Sequence, residues 1–146
     1  MMKFRISVMI ISTALFFAGC SVQPEAINYG KDQCAACRMT IMEPKFAGEI
    51  INNNGKVFKF DDAHCVAEYL QAGQIKKEDV KMVVFTNFKQ PDEFLQTTNA
   101  WFVKSASLKS PMNGNVAAYA DKATAEAEAQ SLPGEAGSWE EIMKKL

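Results

Sequence analysis

Nine residues hold most of the reactive chemistry in this chain. Cys34-Ala-Ala-Cys37-Arg-Met39-Thr-Ile-Met42 sets two thiols and two thioethers almost side by side. Thiolate and thioether sulfurs are soft, polarisable donors, and together they select Cu(I) over oxygen-seeking cations. If residues 37–42 are extended, Cys37 and Met39 project to one face and Thr40 and Met42 to the other. Cys37 and Met39 are then the expected local ligand pair, and Met42 is expected in the core. C-x-x-C also serves redox disulfides and half zinc sites. The redox form expects a strand before the motif and a helix starting at it, whereas here Tyr29-Gly-Lys-Asp-Gln precedes it and Met-Thr-Ile follows. Zinc could take Cys34, Cys37, Cys65 and His64. Adjacent helical residues point about 100° apart, however, and this set leaves Met39 and Met112 without a role. Cys65 reads equally well as a small buried hydrophobe, and His64, the single histidine, as a solvated helix-start residue or a secondary donor.

The elements that must position these residues are legible from patterning. Two β-rich runs, residues 46–51 and 56–60, flank Asn52-Asn53-Asn54-Gly55, a hairpin signal. Asp61 or Asp62 can cap a helix over about residues 62–72, with Ala63, Val66, Tyr69 and Leu70 on one stripe and Gly73 beyond its end. Residues 80–85, 100–103 and 116–120 read as strands. The Ala- and Glu-rich stretch 121–132 reads as a helix. Ser138 with Glu141 makes a capping box for a last helix whose Trp139, Ile142, Met143 and Leu146 share a face. Gly55-x-Val57-x-x-Phe60-x-Asp62 recurs as Gly114-x-Val116-x-x-Tyr119-x-Asp121, one turn–strand–cap unit used twice. The expected fold is α+β, with two small ββαβ-type units over residues 34–90 and 91–146.

The N-terminus is of another kind. Lys3 and Arg5 precede an apolar stretch from Ile6 to Phe17, and Ala18-Gly19 stand before Cys20. This is the pattern of an export signal over residues 1–19, too short to be a permanent membrane span. Cleavage before Cys20 resembles a bacterial lipobox, which implies lipidation (a palmitate-type acyl anchor) at Cys20, a tether over residues 20–33 and an exported protein. It would be anchored to the outer or cytoplasmic membrane and face the periplasm. Cleavage removes two of the 16 basic residues and none of the 17 acidic ones, moving the net charge from -1 to -3. With Cys20 acylated, Cys34, Cys37 and Cys65 remain, an odd set that cannot close entirely into disulfides in an oxidising compartment.

The 146 residues, 48% hydrophobic and 23% charged, suit one compact domain or two very small ones and exclude a large multidomain enzyme and wholesale disorder. A net charge near zero offers no basic field for nucleic acid. There is no G-x-S-x-G, H-E-x-x-H or P-loop motif, so no enzyme is expected.

Together, the lipoprotein signal, Cys34/Cys37/Met39/Ile41 as C-x-x-C-x-M-x-I, Phe60-Asp61-Asp62 with Cys65, and Ser110-Pro111-Met112 resemble the NosL family. These are the copper-binding lipoproteins of nitrous oxide reductase maturation in denitrification. The resemblance implies a Cu(I) metallochaperone whose metal ligands are Cys34, Cys37 and Met39, with Met112 as a more distant thioether. Its implied partners are nitrous oxide reductase and the membrane maturation complex with its ABC transporter. A homodimer sharing one ion is a further expectation left open. Competing readings are a periplasmic thiol-disulfide protein using Cys34 and Cys37, and a zinc-stabilised, membrane-anchored interaction module.

Overall fold

The computed structural model of the chain describes residues 22–146. The expected export signal and the lipidated Cys20 lie outside these residues. Among the described residues no helix is long and apolar enough to cross a membrane.

Among the described residues seven strands and three α-helices follow in the order β1 (Gly48–Asn52), β2 (Val57–Phe60), α1 (Ala63–Gln71), β3 (Val80–Asn87), β4 (Gln90–Gln96), β5 (Trp101–Lys104), β6 (Val116–Tyr119), α2 (Lys122–Ser131), β7 (Glu135–Gly137) and α3 (Trp139–Met143). The strands form one sheet ordered β2-β1-β3-β6-β5-β7, with β4 paired to β3. The chain builds the same motif twice. β1 pairs antiparallel with both β2 and β3, and β5 with both β6 and β7, with a helix before the third strand each time. A single parallel pairing, Asn87 with Ala118, joins the halves. The internal repeat seen in the sequence is therefore structural. Phe60 and Tyr119 are fully buried at the strand ends, and Asp62 and Asp121 cap the following helices by accepting from the amides of Cys65 and Thr124.

The strands were missed or shortened where their composition is polar. β4 carries Gln90, Pro91, Asp92 and Glu93, and β7 only three residues, so neither has an apolar alternation to read. β3 runs on through Thr86 and Asn87, both buried. The Ser138–Glu141 capping box forms as expected.

Side chains alternate across the sheet. One face carries Ile50, Phe60, Phe85, Phe102 and Ala118 against Val66 of α1 and Trp139 and Ile142 of α3. The other carries Val103, Ala117 and Tyr119 against Ala125 of α2. Phe85, Phe102 and Trp139 stack in a triangle with centroids 4.8 to 5.4 Å apart, so β3, β5 and α3 share one core across the two halves. Part of the stretch expected to tether the domain is itself packed down. The Glu25 amide donates to Glu49 Oε2, and Lys59 Nζ donates to the Ala26 carbonyl and to Asp32.

Glu49 is the exception in this sheet: a carboxyl with no exposed surface on β1, with Oε1 lacking any partner. Burial pushes it up to about 7, outweighing the donation from the Glu25 amide and the nearby Lys59 charge. Folding therefore favours its protonated form. Wild-type protein should lose up to about 3 kcal/mol as pH rises from about 4.5 to about 7, where the unfolded chain has ionised and the folded one has not. Glu49→Gln should escape that loss. The difference in unfolding free energy between variant and wild type, followed by urea titration, should widen across this window and level off above it. A gap that stays constant from pH 4 to 8 would refute the assignment.

Candidate metal centre

The reactive loop is a closed turn. The Cys34 amide donates to the Met39 carbonyl at 2.8 Å, the Arg38 amide returns to the Cys34 carbonyl at 3.0 Å, and Gln33 bridges to Thr40. Ala35 N–H donates to the Lys59 carbonyl at 2.8 Å, which pins the turn to the end of β2. To close, the backbone places Arg38 at φ 67, a left-handed conformation that costs a non-glycine residue about 1 kcal/mol. The extension expected from residue 37 is broken at its start: residues 35–37 form a turn, Arg38 is left-handed, and extended pairing begins only at the Thr40 bridge to Gln33. Nor is Met42 in the core as expected: Met42 is 67% exposed and Met39 55%, and it is Ile41, between them, that is buried.

The second contribution comes from the β2–α1 junction. Phe60 is locked edge-on against Tyr69 at 5.2 Å, Asp62 caps α1, and Cys65 sits in the first helical turn under that cap. The two contributions meet. One ligand atom each from Cys34, Cys37, Asp61 and Cys65 lies within 4.8 Å of all the others. Cys34, Cys65 and Asp61 are buried and Cys37 is half-buried. Cys37 Sγ donates to Asp61 Oδ2 at 3.6 Å, and Asp61 Oδ1, also buried, has no partner at all.

A shared set of protons holds the cluster together. The Cys65 thiol donates to the Cys34 sulfur, and the amides of Cys37, Asp61 and Ala36 point at the same atom, so Cys34 is drawn down to about 6 despite its burial. Cys65 is driven far up by that same sharing with Cys34, by burial and by Asp61. Cys37 is pushed up to about 11 by burial, with Cys34 and Asp61 adding to it. One negative sulfur is thereby stabilised by N–H and S–H donors, and two protons remain that a cation can displace. Sulfurs that share one metal at about 2.3 Å stand up to about 4.6 Å apart, so the four donors, with an orphaned carboxylate oxygen among them, fit a metal ion.

Asp61 is the member of this set that sequence reasoning missed. The signal lay in Phe60-Asp61-Asp62: only one of two adjacent aspartates can cap α1, and the other is left free at the cysteine. His64 does not join the cluster. It lines a shallow cleft with Glu68, Gln71, Ala72 and Leu146, and its backbone is pressed against Gly114. Met39 lies at the exposed rim. Met112 is half-buried and packs on the core that holds Cys34 and Cys65.

Fold and site together define a small domain with a duplicated ββαβ sheet that carries, at the junction of its first strand pair and helix, a sulfur-rich cluster able to hold a metal ion. The NosL family model matches residues 26–146, and the chain belongs to the NosL family. Its fold is similar to the crystal structure of the copper chaperone NosL from Shewanella denitrificans, with a TM-score of 0.73 at 23% sequence identity, covering 86% of this chain and 99% of that one. A search of curated proteins finds no match.

Among the three cysteines of the described residues, half-buried Cys37 should be the one open to alkylation in the folded, metal-free protein. Because its proton is held tightly, iodoacetamide should modify it more slowly at pH 7 than a free cysteine and faster as pH climbs toward 11. Peptide mass mapping reads both features, and early labelling of Cys34 or Cys65 would contradict the burial order.

Proposed function

We propose that this protein is a membrane-anchored Cu(I) metallochaperone. The observation that carries the reading is the graded thiol cluster: two sulfurs fully buried, a third at the surface, all within reach of one ion. Cu(I) is satisfied by two or three soft ligands. Cys34 and Cys65 hold it from inside, while Cys37 forms the edge at which an incoming ligand of the recipient can enter. Exchange through a shared-ligand state needs no free aqueous copper. Membership of the NosL family and the copper chaperone named among its fold neighbours support copper as cargo. The recipient proposed from the family resemblance of the sequence motifs is an extracytoplasmic copper enzyme, nitrous oxide reductase, served through its membrane maturation complex. Acylated Cys20 would keep the carrier at the periplasmic membrane surface. The protein acts as a carrier and not as an enzyme.

One observation favours a second reading. Asp61 is a hard oxygen donor that Cu(I) does not require, and three thiolates with one carboxylate make a closed tetrahedral set suited to structural zinc. The thiol-disulfide reading is disfavoured by the order of the sulfurs. A redox protein exposes its low-pKa cysteine, whereas here the accessible Cys37 holds its proton tightly and the thiolate-prone Cys34 is sealed in.

Anaerobic titration of the mature chain from residue 21 with Cu(I) against a chromophoric chelator, with Zn(II) run in parallel, tests the proposal. Cys34→Ser, Cys37→Ser and Cys65→Ser should each weaken Cu(I) binding roughly 100-fold, close to 3 kcal/mol, and His64→Ala should leave it unchanged. Unaltered Cu(I) affinity in the Cys34→Ser/Cys37→Ser protein would sink the reading. Zinc binding that is tighter and also raises the melting temperature would move the centre to structural zinc.

A further inference from the structure

Strand β2 lies at the edge of the sheet, with only β1 beside it. The cysteine turn reaches that edge through a backbone bond, from Ala35 N–H to the Lys59 carbonyl at 2.8 Å. In an antiparallel strand alternate residues direct both N–H and C=O to the same side. Phe58 and Phe60 therefore bond toward β1, the Lys56 carbonyl accepts the Asn52 amide at 3.0 Å, and Val57 and Lys59 face outward. Among the described residues the Val57 N–H and C=O and the Lys59 N–H have no partner on that side. Such an edge is a template for one more strand.

A cleft of about 440 Å³ opens along this edge, between β2, the turn and Tyr69 of α1. Its charged residues are Arg38, Lys56 and Lys59 against one acid, Asp32, and Asp32 is already paired with Lys59 at 2.8 Å. Lys56 Nζ rests over the Phe58 ring, 4.7 Å from its centroid. Among the described residues neither Lys56 nor Arg38 makes an ion pair, and Glu68 lines a neighbouring cleft that Arg38 also borders. Two uncompensated cations thus flank an open strand edge on a chain of negative net charge. Arg38 holds its place against backbone strain, since at φ 67 a glycine would close the turn freely. It directly follows half-buried Cys37, so an occupant of the cleft stands next to the accessible thiol.

We propose that this edge is a docking site for an extended acidic segment of a partner protein, which adds to β2 as a further strand and sets its carboxylates on Arg38 and Lys56. Backbone bonds to Val57 and Lys59 hold the segment, and the two cations select its charge. A second copy of this chain is excluded as the occupant by the same cations, because its own β2 would bring Lys56 and Arg38 against their counterparts. Identifying the partner as the copper recipient rests on the carrier reading above, whereas the docking itself needs no copper.

The test follows backbone amide spectra of the isotopically labelled mature chain, free of metal, during titration with a short capped peptide of alternating Glu and Val. Binding in the millimolar range should shift the Val57 and Lys59 amides first and weaken as salt is raised. Arg38→Glu and Lys56→Glu should each weaken it about fivefold, and the same peptide with Lys in place of Glu should not bind. Val57→Pro removes an outward N–H without touching the β1 ladder and should abolish binding. If that variant does not fold, a peptide N-methylated throughout makes the same test on the wild-type chain. Shifts scattered away from β2, binding indifferent to the lost N–H groups, equal binding of the Lys peptide, or no binding at all would each overturn the proposal. Lys56→Glu should keep wild-type Cu(I) affinity. Failed docking with Cu(I) still bound at the cysteines removes this proposal alone, and successful docking on a chain that does not bind Cu(I) removes only the recipient as the partner.

Discussion

Three thiols and a carboxylate share a space less than about 5 Å across, mostly shut off from water. Four like-charged groups cannot all ionise in such a place, because burial and mutual repulsion both favour the neutral forms. The chain accommodates them by pooling protons. Among the sulfurs Cys34 carries the negative character, fed by three amides and the Cys65 thiol, and Cys37 and Cys65 keep their protons. Much of the local architecture answers to that arrangement. The turn must close tightly enough to aim the Cys37 and Ala36 amides back at Cys34, which forces Arg38 into a left-handed conformation. The β2–α1 junction must bring Asp61 and Cys65 in from the other side. A soft cation relieves the whole arrangement at once by replacing protons with one positive charge.

The duplication explains how so small a chain can hold this centre. Each half alone is three or four strands with one or two short helices, too little to seal a site from water. Joined through β3 and β6, with Phe85, Phe102 and Trp139 stacked across the seam, they make a single core. The two copies have then diverged in role. Where the first has Cys65 beneath its capping aspartate, the second has Thr124. Where the first opens its repeat with an exposed Gly55 at φ 81, the second opens with Gly114 pressed onto the first copy's helix. One half carries the sulfurs, and the other supplies the loop that bonds to buried Asp62 beside them.

Much of this was legible in the sequence, and the losses have physical causes. The hairpin, both longer helices and the last capping box followed from turn residues, caps and periodicity, which act locally. The repeat shows because its four shared positions are a turn, two strand residues of which the second is fully buried in both copies, and a cap, each fixed by geometry. The hidden parts were those settled by tertiary contact. β4 is held by pairing with β3 and not by its own apolar pattern. Met42 reads as core from its apolar side chain alone, but the face it shares with Thr40 is turned to solvent and Ile41 is the residue buried, a choice of face that only tertiary packing makes. Asp61 went unnoticed because carboxylates are usually surface groups, and only the meeting of two distant segments buries this one.

The order of exposure around the centre carries the last step. A protein that merely stores a soft cation gains by burying every ligand, since each open edge invites competition from other thiols. Here burial falls off in one direction, from Cys34 and Cys65 through half-exposed Cys37 to Met39 and Met42 in solvent. That gradient runs outward from α1 along the loop of residues 34–42, so Cys37 is the sulfur of the set that an approaching protein would reach first. On the proposed reading, retention and release would then fall to different sulfurs, the buried pair holding the ion and Cys37 opening it to exchange without unfolding the core.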